Sequence, residues 1–158
     1  MINGSGNSVG QPDNDAIPHS GYAALAIVLS YFEMIAKYRD GYAQRGRSKH
    51  YFNEGVRSVF NRLAKYDNAV VDPVLDALYD GGRCGLYHAG MTDSRIMLTG
   101  ELDSAMGFDP ARGMLIINPH LLVPALLANL GAYIDELRNP ANEELRTNFE
   151  TRFDFEAA

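Results

Sequence analysis

The chain has 158 residues, 46% of them hydrophobic, and a formal net charge of −6. That length suits one domain with an ample core, and the acidic balance excludes a global field that would draw in nucleic acid, so any nucleic-acid contact must rest on local charge. A single cysteine excludes an internal disulfide framework and suits a reducing compartment, so a cytoplasmic location is expected.

Residues 1–16 are rich in Gly, Asn, Ser, Asp and Pro. They bury little and are expected to form a flexible arm, leaving one helical domain over 17–158. The N-terminus lacks a basic segment followed by an apolar one, so no secretory signal is read there. The first helix is expected from Ile17 to Arg39, with Pro18 in the first turn, where its missing N–H costs nothing. Leu25, Val28, Leu29, Phe32, Ile35 and Ala36 recur at helical spacing. Ala24, Ile27 and Tyr31 widen the apolar surface nearly all round, which predicts a central helix or one in a subunit interface. Residues 22–36 are too short a run, interrupted by Ser30 and Glu33, to span a bilayer, and no membrane partner is expected.

Between residues 37 and 65 eight cationic residues stand against only Asp40 and Glu54, a local excess of six positive charges. Such a surface can track a phosphate backbone, which makes Arg45, Arg47 and Lys49 the candidate substrate-binding residues. Tyr42, Tyr51 and Phe52 lie close enough in sequence to stack on bases. The plainer reading of the segment is a solvated helix face followed by a charged loop.

The second helix is predicted over Lys49–Lys65, where Phe52, Val56, Val59, Phe60 and Leu63 form one apolar stripe. The third is predicted to open at Asp72-Pro73, an N-cap residue followed by proline at the first helical position. Its apolar side is Val74, Leu75, Leu78 and Leu86. Gly81, Gly82 and Gly85 are poor helix-interior residues, each costing about 1 kcal/mol relative to alanine. Residues 95–99 and 113–117 read as two short strands, predicting a small β-hairpin inserted after the third helix. Glu101, Asp103 and Asp109 are read as solvated turn residues. Asn118-Pro119 repeats the cap logic for a fourth helix whose broad apolar face, Val123 through Leu137, is expected to pack on the first helix. His120 at its entrance is read as a surface or capping histidine. Pro140 ends the helix, and an acidic helix over Ala141–Phe153 is expected to present a solvent face.

The stretch with chemical content is Arg83-Cys84-Gly85-Leu86-Tyr87-His88. Arginine keeps its charge at any pH a protein meets, while histidine titrates near neutrality. Together they supply a fixed positive charge for a developing oxyanion and a proton shuttle. Cleavage of a phosphodiester by the ribose 2′-hydroxyl needs those two functions and no metal. On a regular helix, five residues leave the two side chains about 140° apart. The same spacing recurs at Arg45 and His50, inside the polar, basic connection. Cys84 and His88, four apart, share a helix face and would suit a thiolate nucleophile with an imidazole base, but no third orienting group stands nearby. His19, His50 and His120 show no zinc-ligand spacing with Cys84 or His88, so no metal or cofactor is expected.

Tyr79-Asp80-Gly81-Gly82-Arg83-Cys84-Gly85-Leu86-Tyr87-His88-Ala89-Gly90-Met91 resembles the motif helix of the HEPN superfamily, in which an Arg, four to six residues and a His lie on one helix of an all-α bundle. The resemblance implies a mainly α fold, a HEPN-like bundle of four to five helices. It implies a homodimer whose two Arg83/His88 pairs meet across the two-fold axis. It further implies a metal-independent endoribonuclease that leaves 2′,3′-cyclic phosphate ends on RNA. His88 would act as general acid or base, Arg83 would stabilise the phosphorane, and Tyr87 would add a hydrogen bond or a stacking face. A neutralising protein partner also belongs to this picture. Other members only bind, and Cys84 stands where the family usually has a polar residue. The alternative is therefore a non-catalytic RNA- or nucleotide-binding or protein-interaction module. A third reading is a structural helical dimer in which Arg83 pairs with Asp76 or Asp80.

Overall fold

The computed structural model describes residues 18–85 and 94–158, with side chains from Val28 to Gly81 and from Ser94 onward. The expected N-terminal arm, residues 1–16, lies outside the described residues. The described chain is mainly helical. Helices α1 (Pro18–Asp40), α2 (Ser48–Val59) and α3 (Asn68–Ala77) precede a small sheet of β1 (Ile96–Leu98), β2 (Met106–Asp109) and β3 (Met114–Ile117), and α4 (Pro119–Arg138) and α5 (Glu143–Ala157) follow it. A 3₁₀ turn, Asn61–Lys65, joins α2 to α3, and a π-helical run, Leu78–Gly85, prolongs α3.

The core is organised on α1, as its nearly all-round apolar pattern required. Leu29, Phe32 and Ile35 are fully buried. Phe32 meets Phe52 of α2 edge-on with ring centroids 5.7 Å apart. The two helices approach closely because Gly55 carries no side chain: a Cβ there would stand 1.9 Å from the Phe32 carbonyl oxygen. Burial of Val56, Val71, Val74, Leu75 and Leu78 extends this core through α2 and α3.

Three expectations about element bounds and strand pairing are corrected. The second helix stops at Val59 rather than Lys65. Phe60 leaves helical geometry, at φ −111° and ψ 69°, and turns its ring onto Phe32, centroids 5.9 Å apart. The 3₁₀ turn then carries Leu63 into the core. The third helix starts at Asn68, before Asp72-Pro73, because the Asp67 carboxylate caps it by accepting from the Ala69 N–H at 2.8 Å. Pro73 consequently lies within the helix, where it forgoes one internal hydrogen bond.

The third correction concerns the sheet. Residues 95–99 and 113–117 do supply neighbouring strands, but these run parallel, Ile96 opposite Leu115 and Leu98 opposite Ile117. The hairpin is made instead by β2 and β3, which pair antiparallel from Met106↔Ile117 to Asp109↔Met114. Asp109 builds the turn by accepting from the N–H groups of Ala111 and Arg112, and Gly113 closes it at φ +58°. The strand order is therefore β1-β3-β2, and Ile96, Met106, Leu115 and Ile117 carry its buried face into the core.

The α4 cap forms as predicted, with Asn118 Oδ1 accepting from the His120 N–H at 3.0 Å. The same buried side chain donates to the Leu102 carbonyl at 2.8 Å, so it also fixes the loop after β1. The expected packing of α4 on α1 is slight. It consists chiefly of Tyr31 donating to Asn129 at 2.7 Å and a bidentate Arg39–Glu136 pair at 2.9 Å. Helix α5 takes that place instead: Phe149 packs on Tyr38, Asn148 donates to the Arg39 carbonyl at 2.8 Å, and buried Arg152 donates to the Tyr42 carbonyl at 2.8 Å. The acidic residues Glu143, Glu144, Glu150 and Asp154 face solvent, as expected.

Candidate functional site

Of the proposed catalytic residues, Arg83 lies in the π-helical run Leu78–Gly85, and its side chain is outside the described residues. Tyr87 and His88 are outside them altogether. What the structure describes is the platform under this stretch and the basic residues set against it.

Lys49, in the first turn of α2, reaches across to that run. Its ammonium bonds Asp80 at 2.8 Å and lies over the Tyr79 ring, 5.6 Å from the centroid. The bond to Asp80 holds the ammonium above the usual lysine range. Tyr79 in turn meets Phe52 edge-on at 5.4 Å, so the run is anchored to α2 by an apolar and an ionic contact. Asp76 accepts from the Asn53 side chain at 2.8 Å. The two acids that a structural Arg83 would pair with are thus both engaged by α2.

Arg47 immediately precedes α2 and is the described non-glycine residue with positive φ, at +54°. In that left-handed conformation its guanidinium lies 5.6 Å from the Tyr51 ring centroid and 6.0 Å from that of Tyr42, and the two rings lie 4.6 Å apart with their planes tilted by 38°. Arg45 is exposed and has no acidic partner among the described residues. The three candidate substrate-binding residues therefore share the N-terminal end of α2, and among the described side chains Lys49 is the one of them that touches the run carrying Arg83.

Beside them a cleft of about 420 Å³ opens between α1 and α2, lined by Arg39, Asp40, Arg47, His50, Tyr51 and Glu54 among others. The Tyr51 hydroxyl donates to Asp40. Burial first, and then that bond, push its pKa up to about 12, so it serves as a donor and not as a base. Arg39 is committed to Glu136, whose carboxyl the guanidinium bonds hold below the ordinary range. A second, more apolar cavity of about 610 Å³ lies between the 3₁₀ turn, β2 and α4, with Phe60, Tyr66 and Phe108 in its wall.

The local basic excess is largely neutralised in three dimensions. Lys37 is buried and bonds Glu33 at 2.5 Å. Burial, reinforced by the nearby Arg152 guanidinium, lowers its pKa below the usual lysine range. Arg39 pairs with Glu136, Lys49 with Asp80 and Arg57 with Asp72. Arg45, Arg47, Arg62 and Lys65 are the cations of this segment without an acidic partner among the described residues.

Sequence reasoning missed the tether made by Tyr79 and Asp80. Lys49 and Asp80 are 31 residues apart, and no local pattern reports so distant a charge pair. Among the described residues no group of three or more His, Cys, Asp or Glu is placed to hold a metal ion, and no helix is long and apolar enough to cross a membrane. No family model, curated protein or solved structure matches the chain.

Proposed function

We propose that this chain is a HEPN-like, metal-independent endoribonuclease acting as a homodimer, with Arg83 and His88 as its catalytic pair. The observation that carries the reading is the π-helical winding of Leu78–Gly85, the run that holds Arg83. A regular helix separates residues five apart around its axis, whereas π winding hydrogen-bonds i to i+5 and so brings a five-residue spacing toward one side. The Arg83-to-His88 interval is five, so the pair would share a side if that winding continued past Gly85, where the described run ends. π-helical turns are also uncommon and concentrate at functional sites. The tether of Lys49 to Asp80 supports the reading further, since it sets the basic N-terminal end of α2 against the same run.

In this mechanism His88 removes the proton of the ribose 2′-hydroxyl, or returns one to the 5′-leaving oxygen, and Arg83 neutralises the charge that builds on the phosphorane. Tyr87 adds a hydrogen bond or a stacking face to the bound strand. The chain supplies both catalytic functions from its own side chains, and the products are a 2′,3′-cyclic phosphate and a 5′-hydroxyl.

The test is cleavage of a mixed-sequence RNA by the full chain in EDTA, with cyclic product ends recognised by their resistance to alkaline phosphatase until acid opens the ring to a monoester. Arg83→Ala and His88→Ala should each abolish cleavage while leaving the circular dichroism spectrum unchanged. Wild-type cleavage by both variants would sink the assignment. RNA retention by the wild type without turnover, lost at high salt, would instead establish the binding-module reading, which Cys84 in the place of a polar residue favours.

A further inference from the structure

We propose that the outward face of α4 is a homodimer interface, in which the helix packs antiparallel on the same helix of a second copy across a two-fold axis between Leu127 and Ala128. Helix α4 buries only Leu122, Leu126 and Tyr133 against its own chain. Its outer side leaves Leu121 38%, Val123 45%, Leu127 63% and Ile134 38% exposed. Pro124, Ala128, Gly131 and Ala132 are exposed between them. From Leu121 to Ile134 the helix carries no charged residue. One exposed leucine is ordinary, but four large apolar side chains on one helix face form a patch that marks a contact surface.

The occupant follows from the order of side-chain sizes and polar groups along the helix. Reversed and laid on itself about that axis, the face sets Pro124 against Gly131 of the second copy. A Cβ at Gly131 would meet nothing within 4 Å, so an open notch receives the proline ring. Leu127 of each copy meets Leu127 of the other, Val123 lies beside Ile134, and Leu121 beside Ala132, large against small at the ends. At both rims His120 faces Asp135 of the second copy. Among the described residues Asp135 has the solvent-exposed Arg138, at 3.2 Å, as its ion-pair partner. An apolar centre with an imidazole set against a carboxylate at each rim is the pattern of a self-complementary two-fold interface. A nucleic acid would need cations that this face lacks, and an anionic lipid surface would need a Lys/Arg border that is also lacking. The interface is built from α4 and stands without the ribonuclease reading.

Sedimentation velocity over a concentration series of the full chain should show a monomer–dimer equilibrium. Leu127→Glu and Gly131→Leu should each raise its dissociation constant by about tenfold or more, the effect of removing a central anchor or filling its notch, with the circular dichroism spectrum retained. Geometry is tested by oxidation in a Cys84→Ser background. Ala128→Cys, beside the axis, should form an interchain disulfide. Leu121→Cys should not, since the two copies of residue 121 lie about 20 Å apart along the helix in an antiparallel pair. Arg83→Ala, which removes cleavage in the ribonuclease reading, should leave this dimer intact. A monomer at every concentration, a dimer indifferent to Leu127→Glu, or equal cross-linking at 121 and 128 would overturn the proposal. So would flotation of the wild type, but not of Leu127→Glu, with phosphatidylglycerol vesicles, which would give the face to lipid.

Discussion

Placing alanine at Gly55 should destabilise the chain, although alanine is the better helix former. On propensity alone, glycine to alanine inside a helix stabilises by about 1 kcal/mol. At Gly55 the new Cβ would stand 1.9 Å from the Phe32 carbonyl oxygen, 2.5 Å from its carbon and 2.9 Å from its Cα. All three are backbone atoms of α1, so no rotamer change relieves the overlap and the helices must move apart. Phe32 is fully buried there between Phe52 and Phe60, and that movement loosens both ring contacts. Overpacking a filled core costs about 1–3 kcal/mol. A clash with rigid backbone belongs at the upper end, which leaves a net loss of about 2 kcal/mol once propensity is credited. Gly131→Ala in the Leu127→Glu chain is the counterpart: the position is helical, a Cβ there meets nothing within 4 Å, and a gain of about 1 kcal/mol is expected. Urea unfolding followed by far-ultraviolet circular dichroism reads both changes as midpoint shifts at constant slope. If Gly55→Ala proves as stable as the wild type, α1 and α2 do not cross this closely and the packing argument fails.

Lys37→Ala should cost about 3 kcal/mol, the lower end for breaking a buried pair, because it removes the ammonium that bonds the buried Glu33 carboxylate. The double change Glu33→Gln with Lys37→Met should recover most of that loss in the same urea assay, and failure to recover it would mean that packing, not charge, sets the cost. Glu136 contributes to stability through pH: the Arg39 hydrogen bonds lower its folded pKa, so its contribution is complete above the ordinary carboxylate range and is lost as pH falls through the lowered value. Glu136→Gln should therefore lower stability slightly near neutrality, converge with the wild type at low pH, and so flatten the acid limb of stability against pH. The amplitude is small because the pair is partly exposed, and an unaltered acid limb in the variant would mean that the bidentate pair does not form in solution.

The helical architecture was legible because each long helix announces itself locally. The apolar periodicity of α1, the Asn118-Pro119 cap of α4 and the proline that follows α4 all act within a few residues of where they are read. What escaped depends on partners distant in sequence. Asp72-Pro73 is the stronger local start signal, yet α3 begins at Asn68 because the earlier turns bury Val71 in a core that the sequence does not display. The two apolar strands looked like hairpin mates. The intervening Met106-Gly107-Phe108-Asp109 is too short and too glycine-marked to stand out as the return strand, and it decides that β1 and β3 run parallel. At the candidate site, the Arg83–His88 spacing was visible in sequence, but the π winding was not. The three glycines beside Arg83 signalled irregular helix without saying of which kind.

The distribution of unpaired cations constrains how an RNA strand could reach that site. Of the eight cations in residues 37–65, Lys37, Arg39, Lys49 and Arg57 are held by acids. Those without an acidic partner among the described residues divide between the two ends of α2: Arg45 and Arg47 precede it, while Arg62 and Lys65 follow it on the 3₁₀ turn. A twelve-residue helix separates these groups by about 18 Å. Only the first group adjoins Lys49, and through Asp80 the run with Arg83. A strand cleaved by the Arg83/His88 pair would therefore meet few phosphate-binding cations per protomer. Each such contact adds roughly −0.7 to the slope of log affinity against log salt, so the ribonuclease reading requires a shallow salt dependence. It also places strand selection at the aromatic pair Tyr42 and Tyr51, with Arg47 over both rings, rather than in a broad electrostatic track.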